Sequence, residues 1–227
     1  MKKVLIITLA LSATFLSCKK NVPQAIINLP IIDRALHDST SVFYGDFEEY
    51  PEDLKMLPIG VFDSGTGGLT VLEKIVSLDV FDNITGKMGD DDILDFAGEH
   101  FIYLADQANM PYGNYDAEGK SDYLRELVVK DALFLLDDNY YETQYDREAN
   151  GVKPRVKIIV IACNTATAYG LKDIASLLEQ SKTGVKVIGV INAGVKATLD
   201  ELNVSEGDQP FAIGVLATPG TIASGAY

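Results

Sequence analysis

Lys157-Ile158-Ile159-Val160-Ile161-Ala162 is a continuous, mostly β-branched apolar run that passes straight into Cys163-Asn164-Thr165-Ala166 and a helical pattern reaching about Gln180. A strand apolar on both faces must be covered on both, which predicts a central strand of a parallel sheet with helices above and below it. The same unit recurs along the chain. Ile59-Gly60-Val61-Phe62 precedes a Gly-rich loop, Asp63-Ser64-Gly65-Thr66-Gly67-Gly68, and a helix marked by Leu69, Val71, Leu72 and Ile75. Residues 101–105 read as a strand, followed by a loop over 106–113. A helix from about Ser121 to Leu136 comes next, with Leu124, Leu127, Val128 and Leu135 inward. Strands are predicted over 185–191 and 211–216, with a short helix over 194–202 between them. The alternation implies an α/β fold, a right-handed parallel sheet in a three-layer sandwich.

Two polar stretches interrupt the pattern, one from 81 to 99 with the run Asp90-Asp91-Asp92, the other from 137 to 155. The aspartates lack the alternating ligand spacing of a calcium loop and read as a solvated surface, and no metal site is predicted. Residues 19–57 show no sustained periodicity and suit a tether or an irregular extension packed on the domain. Lys2 and Lys3, an apolar run from Val4 to Leu11 and Ser17-Cys18 form the pattern of a bacterial lipoprotein signal over 1–18, with lipid on Cys18. A buried N-terminal strand or helix is the competing reading. The signal implies a lipid-anchored protein of the cell envelope facing the periplasm; without it the chain is cytoplasmic. The chain has 2 cysteines, so a lipidated Cys18 leaves Cys163 a lone thiol. A net charge of −14 argues against nucleic acid, which needs clustered Lys and Arg. Any anion site must therefore be built from helix N-termini and backbone N–H groups.

Three strand-end loops carry reactive or polar groups, Asp63-Ser64, Pro111-Tyr112-Gly113 and Cys163-Asn164-Thr165, and parallel topology brings all three to one rim. Cys163 at a helix N-terminus is expected to be favoured as thiolate. Each feature also has a plain structural reading. A cysteine ending an apolar strand is often inert core, Asp63 is a candidate helix cap beside Ser64 and Thr66, and the glycines fit neither a dinucleotide fingerprint nor a P-loop. His37 and His100 lie outside these loops and read as structural or surface residues.

As a set, the segments IGVFDSGTGGLTVL (59–72), YLADQANMPYG (103–113), VIACNTATA (160–168), VIGVINAG (187–194) and IGVLATPGTIASGAY (213–227) closely resemble bacterial glutamate racemase. The resemblance covers most of residues 58–227. It implies a cofactor-independent, two-domain α/β racemase that binds glutamate in the interdomain cleft. Two thiols on opposite faces of the substrate then act as acid and base at Cα, and D-glutamate is supplied to peptidoglycan. Carried over, Cys163 is the first thiol and Asp63 the carboxylate that assists it. Ser64, Tyr112, Gly113, Asn164, Thr165 and Thr221 match positions that hold the substrate. Residues 58–205 then form the first domain, and 206–227 begin a second that is incomplete, as in a truncated chain. The family's second thiol segment lies downstream of Tyr227, Asn192-Ala193 replaces the common Glu-Pro, and the insertions near 82–99 and 137–155 are unusual. A half-built second domain exposes apolar surface and sheet edges, which favours association, a homodimer included. Two alternatives stand beside a glutamate racemase. One is a catalytically inactive amino-acid-binding or structural envelope lipoprotein; the other is a related racemase acting on another amino acid or a hydantoin.

Overall fold

The computed structural model describes residues 29–143, 145, 146, 148–204 and 213–227. The lipoprotein signal, with Cys18, lies outside the described residues. Four parallel strands form the sheet, β1 (Ile59–Asp63), β2 (Phe101–Ala105), β5 (Ile158–Ile161) and β6 (Lys186–Gly189), in the order β2-β1-β5-β6. Between β2 and β5 lies a small antiparallel hairpin, β3 (Asn139–Tyr140) and β4 (Gly151–Val152), which occupies the second polar stretch. The helices are α1 (Pro30–His37), α2 (Gly68–Val76), α3 (Ser121–Leu136), α4 (Asn164–Ser181), α5 (Val190–Val204) and α6 (Pro219–Ala223).

Side chains of β1 alternate between two apolar layers, as a strand's twofold period requires. Phe62, with Ile159 and Ile161 of β5, joins the larger cluster formed with α1, α3 and α4. Ile59 and Val61 face the other way, onto Val71 and Leu72 of α2 and onto Phe96. Every residue of β1 is buried, the expected condition of a strand in the middle of a covered sheet.

The acidic stretch forms part of that second layer. Phe96 meets Phe101 edge to face at 6.3 Å. Its carboxylates accept hydrogen bonds from its own main chain: Asp95 from the amides of Val80 and Phe81, Asp82 from Ile84 and Thr85, Asp91 from Asn83. These residues replace a regular ladder by side-chain acceptors, which is how a polar loop without helix or sheet satisfies its N–H groups. Among the described residues, no group of three or more His, Cys, Asp or Glu stands close enough to hold a metal ion.

Three elements differ from the sequence expectation. Residues 30–37 are helical, where a tether or an irregular packed extension was expected; they do pack on the domain. Pro30 takes the first turn, where its missing N–H costs nothing, and Ile31, Ile32 and Ala35 are buried against α3 and α4. Arg155 fixes the segment that follows, donating to the Asp46 carbonyl at 2.8 Å and to Glu49 at 2.9 Å. β6 is shorter than the 185–191 pattern and α5 begins at Val190, because the partner strand β5 ends opposite Gly189. The expected strand over 211–216 is not formed by its described part: Ile213, Val215 and Leu216 have no strand partner and stand exposed, Leu216 at 99%.

α3 packs closely on α4 at Gly170, where a Cβ would fall 2.2 Å from Cγ1 of Val128. Helix propensity favours Ala over Gly by about 1 kcal/mol, whereas overpacking costs about 1–3 kcal/mol and more when the obstacle is β-branched. Gly170→Ala is therefore expected to lower stability in denaturant titration, and Val128→Ala in the same chain to restore part of the loss.

Candidate active site

The carboxyl ends of β1, β2 and β5 lie side by side, and the residues after them make the site. Phe62 is opposite Ile161 in the parallel register, so the chain leaves β1 through Asp63-Ser64 at the level where it leaves β5 through Ala162-Cys163. Ser64 Oγ lies 3.5 Å from Cys163 Sγ, and either atom can donate.

Asp63 is 6% exposed, and its Oδ2 accepts from the Gly68 amide at 2.8 Å. It thus serves the first amide of α2 from outside the helix, whose N-cap is Gly67 and not Asp63, while sitting beside the thiol. Gly68 makes this fit possible. A Cβ there would meet Asp63 Cβ at 2.7 Å, Ala162 Cβ at 2.9 Å and the Tyr103 hydroxyl at 3.0 Å.

Cys163 caps α4, its sulfur accepting from the Ala166 amide at 3.4 Å. The helix terminus thus favours the thiolate, as expected, but burial outweighs it. With 8% exposure, burial pushes the Cys163 thiol up and the Asp63 charge adds to this, against the Ser64 and Ala166 hydrogen bonds. The free group is a neutral thiol at neutral pH.

A second cluster stands beside the first. The Thr165 and Thr221 hydroxyls are 3.1 Å apart, and Thr221 is also 3.0 Å from the Thr218 hydroxyl at the start of α6. Tyr169 donates to the Gly220 carbonyl at 2.9 Å, seating α6 on α4. Gly113 lies against Thr218, where a Cβ would be 3.3 Å away. Asn164, the first residue of α4, is exposed. Of the residues singled out from the sequence, Asp63, Ser64 and Cys163 form one group and Gly113, Thr165 and Thr221 another. Tyr112 differs: it is 1% exposed and its hydroxyl lies in the interior, 2.6 Å from Asp106 and 2.7 Å from Asp131. Its side chain serves the protein's own packing. His37 and His100 are both exposed; His37 bonds Asp33 at 3.2 Å, and the His100 carbonyl accepts from the Ile59 amide at the start of β1, the end of the strand away from Asp63.

No family model matches the chain. Individual proteins do. It is 34% identical to the glutamate racemase of Oceanobacillus iheyensis over 169 residues, which is 74% of this chain and 44% of that one. With the glutamate racemase of Campylobacter jejuni it shares 34% identity over 171 residues, 75% of this chain and 50% of that one. Over these residues the chain is homologous to glutamate racemases. It spans about half the length of the curated relatives it matches. The crystal structure of the Campylobacter jejuni racemase aligns with 74% of this chain and 49% of its own, at 32% identity and a TM-score of 0.48.

Tyr103 was not singled out from the sequence, although it sits inside a segment that resembles the racemases. Its hydroxyl donates to the Gly65 carbonyl at 3.3 Å, and burial, then the Asp63 and Cys163 charges, push it above the usual tyrosine value. The one available signal was its place in β2, where it pairs with Val61 two residues before the end of β1.

Alkylation of Cys163 by iodoacetamide, followed by peptide mass mapping across pH, should titrate above the ordinary thiol range. Asp63→Asn removes a charge that raises the pKa and is expected to shift the midpoint down. Ser64→Ala removes a hydrogen bond that lowers it and is expected to shift the midpoint up. Shifts of the same sign in both variants would contradict this assignment.

Proposed function

We propose that the chain supplies one face of a glutamate-racemase site, in which Cys163 exchanges a proton with Cα of glutamate. The observation that carries the reading is the contact between Ser64 and Cys163 beside the buried Asp63 carboxylate, in a chain homologous to glutamate racemases. A Cα–H next to a carboxylate is a very weak acid. A desolvated thiol whose pKa is raised is, once deprotonated, a stronger base than an exposed one and closer to what that proton demands.

In the proposed step the Cys163 thiol passes its proton to the neighbouring Asp63 carboxylate, the thiolate takes the Cα proton as a new S–H bond forms, and the C–H electron pair is delocalised into the substrate's carboxyl group. Reprotonation from the opposite face gives D-glutamate, and return of the same proton position regenerates L-glutamate. Asp63 assists the thiol, Ser64 steadies the sulfur, and Asn164, Gly113, Thr165 and Thr221 face the substrate's polar groups, with no cofactor. The proton carrier on the opposite face corresponds to the family's second thiol, and the product feeds peptidoglycan. Residues 1–18 are read as a lipoprotein signal that anchors the mature chain in the envelope; loss of palmitate labelling in Cys18→Ser would support this, and unchanged labelling would refute it.

The full-length protein in heavy water is expected to exchange the Cα hydrogen of L-glutamate, followed by proton NMR, and to yield D-glutamate, followed by chiral chromatography. Cys163→Ser should lower exchange by about 10²-fold or more, the usual share of a positioned acid–base group. Absence of exchange with folded wild-type protein would remove the racemase reading and leave an amino-acid-binding one.

A further inference from the structure

Asp131 lies on α3, away in sequence from every residue of the site, and is 2% exposed. A carboxyl group that deep needs a stated partner. Its Oδ2 is 2.7 Å from the Tyr112 hydroxyl, which is itself 2.6 Å from Oδ2 of Asp106. Both oxygens of Asp106 also accept from the Asn109 side-chain amide, at 2.8 and 2.9 Å. The Lys130 ammonium stands 3.5 Å from Asp106 and 3.8 Å from Asp131.

A hydroxyl has one proton and cannot donate to both carboxylates at once. Asp106 already gathers the Asn109 donors, so the two short contacts are satisfied together when the Tyr112 proton points to Asp106 and a protonated Asp131 donates to the Tyr112 oxygen. Burial, with the Asp106 charge adding to it, pushes Asp131 up to about 7, against the Tyr112 hydrogen bond and the Lys130 charge. Among the described residues, Asp106, Tyr112 and Lys130 are the titratable groups that act on it. Because the folded value lies above the ordinary carboxylate value, this group's contribution to stability is greatest at low pH and is lost as pH rises toward about 7.

The chain segment held by these contacts joins the two halves of the site. Its first residue, Asp106, donates its amide to the Asp63 carbonyl at 2.9 Å. Tyr115 donates to the Asn109 carbonyl at 2.9 Å. The far end, Gly113, lies against Thr218, with its carbonyl 3.2 Å from where a Gly220 Cβ would stand.

We propose that Asp131 is a positioning residue: by sharing a proton with the Tyr112 hydroxyl it clamps the 106–114 loop between Asp63 and Thr218, and so sets the rim that receives glutamate. The clamp stands on the geometry, while its effect on substrate rests on the racemase reading above. Ionisation of Asp131 leaves two carboxylates facing one proton and releases the clamp. Asn at this position keeps a neutral donor to the Tyr112 oxygen and holds the clamp at any pH, whereas Leu fills the space without holding it.

Hydrogen exchange by mass spectrometry on the full chain tests this, comparing wild type, Asp131→Asn and Asp131→Leu at about pH 5.5 and about pH 8.5, on either side of the titration. Wild type and Asp131→Asn are expected to protect the 106–114 amides equally at the lower pH. At the higher pH the wild-type loop should exchange several-fold faster than in Asp131→Asn, with α3 and α4 unchanged, and Asp131→Leu should be loose at both. Equal loop exchange in wild type and Asp131→Asn at both pH values would overturn the proposal, as would a difference spread evenly over α3 and α4. Calorimetry with L-glutamate separates the two readings. Affinity should fall several-fold from the lower to the higher pH in wild type and stay level in Asp131→Asn; a parallel fall in both overturns the link to substrate. Glutamate binding to neither protein at either pH, with the loop responding as expected, instead overturns the racemase reading and confirms the clamp.

Discussion

The parallel register between β1 and β5 sets everything at the rim. With Phe62 opposite Ile161, and Ala162 donating its amide to the Phe62 carbonyl at 2.8 Å, Ser64 and Cys163 emerge level with each other. A slip of one residue would turn Phe62 out of the larger core and Val61 into it, and would part the hydroxyl from the thiol at the same time. Core packing and site geometry therefore depend on one constraint. Asp63 tolerates burial because the Gly68 amide donates to its Oδ2, at a position on the facing helix turn where a Cβ would clash.

The thiol is held between opposing effects of similar kind. Burial and the Asp63 charge favour the neutral form, while the Ser64 hydroxyl and the Ala166 amide favour the thiolate. The net result is a thiol held above its ordinary value, which keeps its proton at rest and is a stronger base once deprotonated. The Tyr103 hydroxyl, tied to Gly65, keeps the Asp63-Ser64-Gly65 turn in place on the other side.

Much of this was legible in the sequence. The run before Cys163 announced a covered strand, and β-branched content, glycine position and helix starts placed the three loops at one rim. What was not legible depends on contacts between distant residues. α1 is about two turns long, too short for its apolar positions to show a period, and it forms because α3 and α4 cover it. The strand pattern over 213–216 found no neighbour among the described residues, which is why propensity alone misled. Tyr112 was expected at the substrate from the resemblance, but its partners Asp106 and Asp131 lie on a loop and a helix that only the fold brings together. Likewise, a dipole argument for Cys163 sees the helix but not the burial. The run Asp90-Asp91-Asp92 read as a solvated surface, and Asp90 and Asp92 are exposed; Asp91 in addition accepts the Asn83 and Ile93 amides of its own loop.

The most direct test of the account is whether glutamate shields Cys163. With L-glutamate at saturating concentration, alkylation of Cys163 in the full chain should slow several-fold, and the Asn164→Ala variant should need more glutamate for the same protection. An alkylation rate unchanged by glutamate, in protein whose Cys163 remains reactive and whose fold is intact, would show that the thiol does not face the substrate and would contradict the account.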